Sequence, residues 1–174
     1  MNPTQTQVAQ SVTAAVLVEQ LAANGVDTVV CVPDSQQRSL LEALATDARF
    51  RLITAATEDE AVGIASGFYF GGRLAALSIQ HSGLYACVNT LRGLGLDARV
   101  PLILLVGMLA REPDRPPEDS ASSMNRLARP LLDTLGIPHV LLDDPAEVEA
   151  LGEGIRRALA ERRPFALLIG QPTG

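Results

Sequence analysis

FRLITAATEDEAVGIASGFYFGGRLAALSI, residues 50–79, is the stretch that decides the fold. Residues 50–55 form a short, largely apolar run of strand character. Thr57 and Glu60 then make a T-x-x-E capping box, which predicts a helix over 58–69. Gly71-Gly72 stops that helix, and a second apolar run over 74–79 predicts another strand. Two strands joined by a helix of this length make a βαβ unit, with parallel strands and a right-handed crossover.

The same alternation extends in both directions. Upstream, apolar residues at helical spacing (Val8, Val12, Ala15, Val16, Val18, Leu21) predict a helix over 6–24, ended by Gly25. A strand over 27–32 and a helix over 36–45 follow. Downstream the reading is helix 83–95, strand 102–106, a polar loop over 108–122 rich in Pro and acid, helix 123–135, strand 139–142, helix 146–162 and strand 165–169. The expected fold is therefore α/β: one domain over 1–174, a six-stranded parallel sheet with helices on both faces, in three α/β/α layers.

The composition agrees with that architecture. Of the 174 residues 47% are hydrophobic, yet aromatics are few and Trp is absent, so Ala, Val, Leu and Ile must build the core. Those residues suit a parallel sheet covered on both faces. The net charge of −6 leaves no electrostatic footprint for nucleic acid. Cys31 and Cys87 lack CxxC spacing and lie in apolar stretches, which reads as two buried thiols. The first residues, MNPTQTQ, lack the basic start and apolar run of a signal peptide. The longest apolar stretch, 101–110, is half of the ~20 residues that a membrane span needs. The expectation is a cytoplasmic protein without membrane association.

In such sheets ligands bind beyond the carboxyl ends of the strands. Four strand ends carry polar groups here: VPDSQ at 32–36, TEDE at 57–60, QHSG at 80–83, and the loop after residue 107. Each has a structural and a functional reading. Glu60 is explained by the capping box, which leaves Glu58 free at the strand-to-helix junction, where a partly buried carboxylate can act beside a cofactor ring. Asp34 and Ser35 suit turn capping or substrate contact. His81 ends a strand before a small-residue turn, and Arg111 is either a solvated surface charge or a substrate contact. His139 reads as structural. The sequence holds no metal-ligand cluster, no P-loop and no phosphate-cradling G-x-G-x-x-G; Gly93-Leu94-Gly95 ends a helix instead.

These same segments carry a family resemblance. VPDSQ, TEDEAVGIASGFYFGG, SIQHSGLYACVN and PLILLVGMLAREP follow in the order found in the pyrimidine-binding domain of thiamine diphosphate enzymes. The chain is more narrowly similar to the alpha subunit of sulfopyruvate decarboxylase and to the matching half of phosphonopyruvate decarboxylase. The family's E-x-x-A-x-x-x-A-x-G pattern falls on Glu58, Ala61, Ala65 and Gly67. Three departures stand beside it. The family often has Asn at the place of His81, Gly-Asn at the place of Tyr85-Ala86, and a His within the loop after the fourth strand, where residues 112–125 have none.

The resemblance implies the thiamine diphosphate-binding fold and a lyase that decarboxylates a small 2-oxo acid, with sulfopyruvate and phosphonopyruvate as candidates. Glu58 becomes the catalytic residue: its carboxyl group hydrogen-bonds N1′ of the aminopyrimidine and supports the imino tautomer, whose 4′-nitrogen takes the C2 proton of the thiazolium. Pro33, Ser82, Gly83 and Leu84 join Glu58 on the cofactor side. Asp34, Ser35, Gln36, His81 and Arg111 stand on the substrate side. The G-D-G motif of the family's diphosphate-binding half is absent from the sequence. The resemblance therefore implies a hetero-oligomer in which a beta subunit with a diphosphate-binding domain holds Mg2+ and shares the cofactor, and no metal is held by this chain. A carboligase subunit and a non-catalytic binding homologue are the other readings.

Overall fold

The computed structural model describes residues 12–174. The helix expected over 6–24 is observed as α1 (Ala14–Ala23): it starts later than expected, because Thr13 is extended and stands at its N-cap, and residues 6–11, with Val8, lie outside the described residues. Gly25 ends it at a φ of 79°, a left-handed conformation that glycine adopts without steric cost.

From there the chain alternates strictly: β1 (Val26–Cys31), α2 (Arg38–Thr46), β2 (Arg51–Thr54), α3 (Glu58–Phe70), β3 (Leu74–Gln80), α4 (His81–Ala86) with α5 (Val88–Thr90), β4 (Ile103–Gly107), α6 (Ser123–Thr134), β5 (His139–Leu142), α7 (Glu149–Glu161) and β6 (Phe165–Ile169). All five strand pairings are parallel, and the strand order is β2-β1-β3-β4-β6-β5.

Alternation along each strand sorts the core into two layers. Val30, Leu77, Leu104 and Leu168 face α3, α4 and α6, while Val29, Ala76, Ile103 and Leu167 face α1, α2 and α7. Strands β4 and β6 are buried at every position, because helices cover both their faces. Each fully buried Leu or Ile contributes about 1.5–3 kcal/mol from removal of apolar surface from water. The three-layer α/β/α architecture is the expected one.

Three elements differ locally from the sequence reading. Helix 36–45 starts as a 3-10 turn, Ser35–Gln37, because the Asp34 carboxylate takes the Gln36 N–H at 3.0 Å. Helix 83–95 starts earlier, at His81, and after α5 widens into a π turn over Leu91–Asp97. There Gly95 lies against Pro164, where a Cβ would come within 2.6 Å of the proline ring. Helix 146–162 opens with a 3-10 turn over Pro145–Val148 before α7 begins.

The strand order reverses twice: at β5, from which the chain returns to place β6 between β4 and β5, and at β2, beside the candidate site. From β1 the chain goes first to β2 on one side, then to β3 on the other, and α2 and α3 lie on opposite faces of the sheet. The carboxyl ends of β1 and β3 therefore open where the two crossovers diverge, which is where doubly wound sheets hold their ligands.

Candidate active site

The residues following β1, β2, β3 and β4 meet at that edge. Glu58 is the first residue of α3 and is half-buried. Thr57 caps the helix by accepting the Glu60 N–H at 3.3 Å. Glu60 closes the turn through the Ala56 N–H at 2.7 Å, one residue before the cap, so the box is shifted from the simple form. Asp59 accepts from the Thr90 hydroxyl at 2.5 Å. Each acid of the first turn except Glu58 is thus engaged by its own chain, and all three complement the helix dipole.

Glu58 extends over the first turn of α4. An added Cβ on Gly83 would overlap Cγ, Cδ and Oε1 of Glu58, so glycine is the residue that lets the carboxylate cross this helix. Ser82 is exposed beside it and donates to Gln80 Oε1 at 3.1 Å. Leu84 is fully buried in the core, so it presents backbone rather than side chain to the site. Pro33 is exposed at the end of β1.

Asp34 is the hub beneath this edge and is buried. It accepts from Gln36 N at 3.0 Å, from Gln80 Nε2 at 3.0 Å and from Gln37 Nε2 at 3.4 Å. Its Oδ2 occupies the place that a Cβ on Gly107 would need. Gln37, which sequence reasoning missed, is wholly buried: its Nε2 reaches the carbonyls of Ile79 (2.9 Å) and Leu105 (3.3 Å), and its Oε1 accepts from Ser78 at 3.1 Å. Gln36 donates to the Met108 carbonyl at 3.3 Å and so ties the turn to the loop after β4. Ser35 stays exposed, in an open groove with Pro33, Asp34 and Arg38. The structure thus gives Asp34 and Gln36 a turn-building role and leaves Ser35 open to solvent.

His81 is fully buried, and neither ring nitrogen has a hydrogen-bond partner among the described residues. Burial pushes its pKa down; the Asp34 charge and the nearby Asn125 carboxamide oppose that shift without reversing it. Asn125, also missed in the sequence, is buried on α6 and donates to the carbonyls of Ala110 (3.0 Å) and Leu109 (3.4 Å).

Arg111 departs from the surface-charge reading. Its side chain is 4% exposed and pairs with Asp143, beyond β5, at 2.7 Å. The signals that could have marked the missed residues are weak ones: a glycine closing an all-apolar strand for Gly107, a lone Asn early in a helix for Asn125, and paired acids after a strand for Asp143. Among the described residues no group of three or more His, Cys, Asp or Glu could hold a metal, and no helix is long and apolar enough to cross a membrane.

The arrangement suits a thiamine cofactor in one respect that the chain itself displays. Glu58 brings a carboxylate, with no hydrogen bond from the described residues, to a helix start at the ligand-binding edge, where it can face a ring nitrogen.

Comparison with known proteins agrees. The family described as "Thiamine pyrophosphate enzyme, N-terminal TPP binding domain" matches residues 12–122. Phosphonopyruvate decarboxylase of Streptomyces viridochromogenes is 32% identical over 160 residues, which is 91% of this chain and 40% of that protein. Sulfopyruvate decarboxylase subunit alpha of Methanococcus maripaludis is 30% identical over 148 residues, 84% of this chain and 87% of that subunit. The same subunit of Methanothermobacter thermautotrophicus is 29% identical over 146 residues. The chain thus spans two-fifths of the first relative and most of the alpha subunits. With a family match over well more than half of its length and the fold that goes with it, this chain belongs to the thiamine pyrophosphate enzymes, as their N-terminal TPP-binding domain.

Proposed function

We propose that the chain is the pyrimidine-binding alpha subunit of a thiamine diphosphate-dependent decarboxylase of small 2-oxo acids. Support comes from the relatives' names, from the extent to which the alpha subunits are covered, and above all from one observation: Glu58 lies across Gly83 with its carboxylate unclaimed by the described chain. The cofactor supplies the electron sink for loss of carbon dioxide. Glu58 holds a proton at the pyrimidine N1′, and Gly83 leaves room for it to do so. Pro33, Ser82 and the backbone at Leu84 border the same place, and Asp34, Gln36 and His81 fix the polar floor between β1 and β3. Ser35 and Arg111 complete the substrate side.

In this reading a beta subunit with a diphosphate-binding domain holds Mg2+ and completes the site, and the substrates are close to sulfopyruvate or phosphonopyruvate. The setting is the cytoplasm, supported by two cysteines that are both free and buried.

The test is exchange of the cofactor's C2 proton with deuterium in the reconstituted complex. Glu58→Gln slows exchange and turnover by ~10²- to 10⁴-fold, the usual cost of one positioned acid–base group. Glu60→Gln keeps an acceptor for Ala56 and exchanges at near the unmodified rate. Equal, near-normal exchange in both variants would reduce Glu58 to a helix-start residue and remove the main support for the reading.

A further inference from the structure

The corner beyond β4, β5 and β6 holds buried polar atoms that the chain leaves without partners. Arg111 uses Nη2 on Asp143 Oδ2 at 2.7 Å, while its Nε and Nη1 are buried and unpartnered among the described residues. Gln171 Nε2, just past β6, is a further buried donor in the same condition, and Asp143 Oδ1 and Glu112 Oε2 are buried acceptors. An unmade hydrogen bond at a buried charged group is costly, so a protein keeps one where something else supplies the partner.

Several features hold the guanidinium still. Ala110 turns the chain in the left-handed region, φ 57°, which a non-glycine residue enters only against steric resistance. The Arg111 N–H closes that turn on the Met108 carbonyl at 3.2 Å, and Asn125 holds the Ala110 carbonyl at 3.0 Å. Asp143 is itself seated against Gly170, where a Cβ would overlap its Oδ1. An acid that fixes one edge of an arginine leaves the remaining donors aimed in a set direction, the arrangement best suited to a second oxyanion.

We propose that Arg111, positioned by Asp143 and joined by Gln171, binds a second oxyanion of the substrate, the one that stays when carbon dioxide leaves. This rests on the decarboxylase reading and deepens it by assigning recognition of the substrate's terminal oxyanion to Arg111. The departing carboxylate is a poor match for Arg111: a guanidinium clamped on it would stabilise the ground state and oppose its loss. A group that keeps its charge throughout the reaction has no such conflict. The corner also joins the cofactor edge through contacts already described, from Arg111 to Ala110, to Asn125, to the neighbouring His81, and along α4 to Gly83 beneath Glu58.

The first arm of the test needs no turnover. Arginine Nε–Hε resonances of the full chain are followed by NMR during titration with methanephosphonate, methanesulfonate and uncharged dimethyl sulfone. Arg111, assigned by its loss in Arg111→Lys, shifts saturably with the two anions and not with the sulfone. Asp143→Ala weakens that binding roughly 10- to 100-fold, the span of one or two charge-assisted hydrogen bonds, and Asp143→Asn restores most of it because an amide oxygen still accepts from Nη2. In the second arm, Arg111→Met in the complex raises KM for a 2-oxo acid with a terminal oxyanion by a similar factor and lowers its kcat/KM far more than that for an apolar 2-oxo acid. An Arg111 resonance that stays still, or that follows the sulfone as it does the anions, overturns the proposal. So does a loss in Arg111→Met that is equal for both substrates. If the complex releases carbon dioxide from no 2-oxo acid, the decarboxylase reading fails, and the resonance titration still decides the anion site.

Discussion

The Cα of Gly83 lies directly under the side chain of Glu58: a methyl group added there would sit inside 3.0 Å of three Glu58 atoms, including Oε1. The candidate catalytic carboxylate is thus aimed by the residue it crosses as well as by the helix that carries it. Gly83→Ala should displace Glu58 while leaving the fold intact, at about 1–3 kcal/mol of overpacking. Turnover of the reconstituted complex should fall by about 100-fold, the effect of misplacing a reacting group by about 1 Å. Gly63→Ala, on the exposed side of α3 with nothing within 4 Å of its Cβ position, should instead stabilise the chain by about 0.5–1 kcal/mol. Denaturant unfolding of both variants, with rates for the first, checks the contrast; wild-type turnover in Gly83→Ala would dissociate the glycine from the site.

Gly107 stands in the same relation to Asp34, whose Oδ2 fills the place of a Cβ. Gly107→Ala should expel Asp34 from its three donors and cost more stability than Gly83→Ala, because Asp34 is buried and Glu58 half-exposed to solvent. The expected loss is about 2–4 kcal/mol, from overpacking and a broken buried network together. A chemical-denaturation midpoint equal to wild type would show that the turn after β1 tolerates loss of the hub.

His81 makes stability depend on pH in a defined direction. Its pKa in the folded chain lies below the ordinary 6.5, chiefly because burial disfavours the imidazolium. Near and below that value the unfolded chain binds the proton more readily than the folded one, so stability rises with pH through this window and levels off above it. As pH falls from 7 the unfolding free energy should decline, beginning near the unfolded pKa and continuing down to the lower folded one. His81→Gln should remove that part of the slope. Denaturant titrations at half-unit pH steps from 5 to 7.5 supply the measurement, and identical slopes for variant and wild type would locate the pH dependence elsewhere.

Cys87 should be chemically silent in the native chain. It is fully buried, and burial, with the charges of Asp59 and Glu58 adding to it, pushes its thiol up to about 12. Cys31 is raised as well, again mainly by burial. Since the thiolate is the reactive form, iodoacetamide at pH 8 should label neither cysteine until denaturant is added. Mass spectrometry after a timed pulse measures this, and rapid native labelling of Cys87 would mean that α4 opens readily.

The amino-acid sequence by itself determined the alternation of strands and helices, the parallel sheet and the start of α3 at Glu58. Those features depend on local patterns: apolar runs of strand length, the Thr57–Glu60 cap, and glycines at 25 and 71–72. It also carried the order of motifs that marks the family. Strand order and the meeting of Asp34 with Gln80 and Gly107 were decided only in the tertiary structure, because parallel neighbours are brought together by long crossovers, which leave no trace in spacing. The same holds for Arg111. On its own it reads equally as a surface charge or a substrate contact in a polar loop; its burial follows from Asp143, thirty-two residues away, and from a left-handed turn at Ala110 that no residue type announces. Position along the chain sets which backbone forms a strand or a helix, but which polar groups share a buried corner is set by packing between segments distant in sequence.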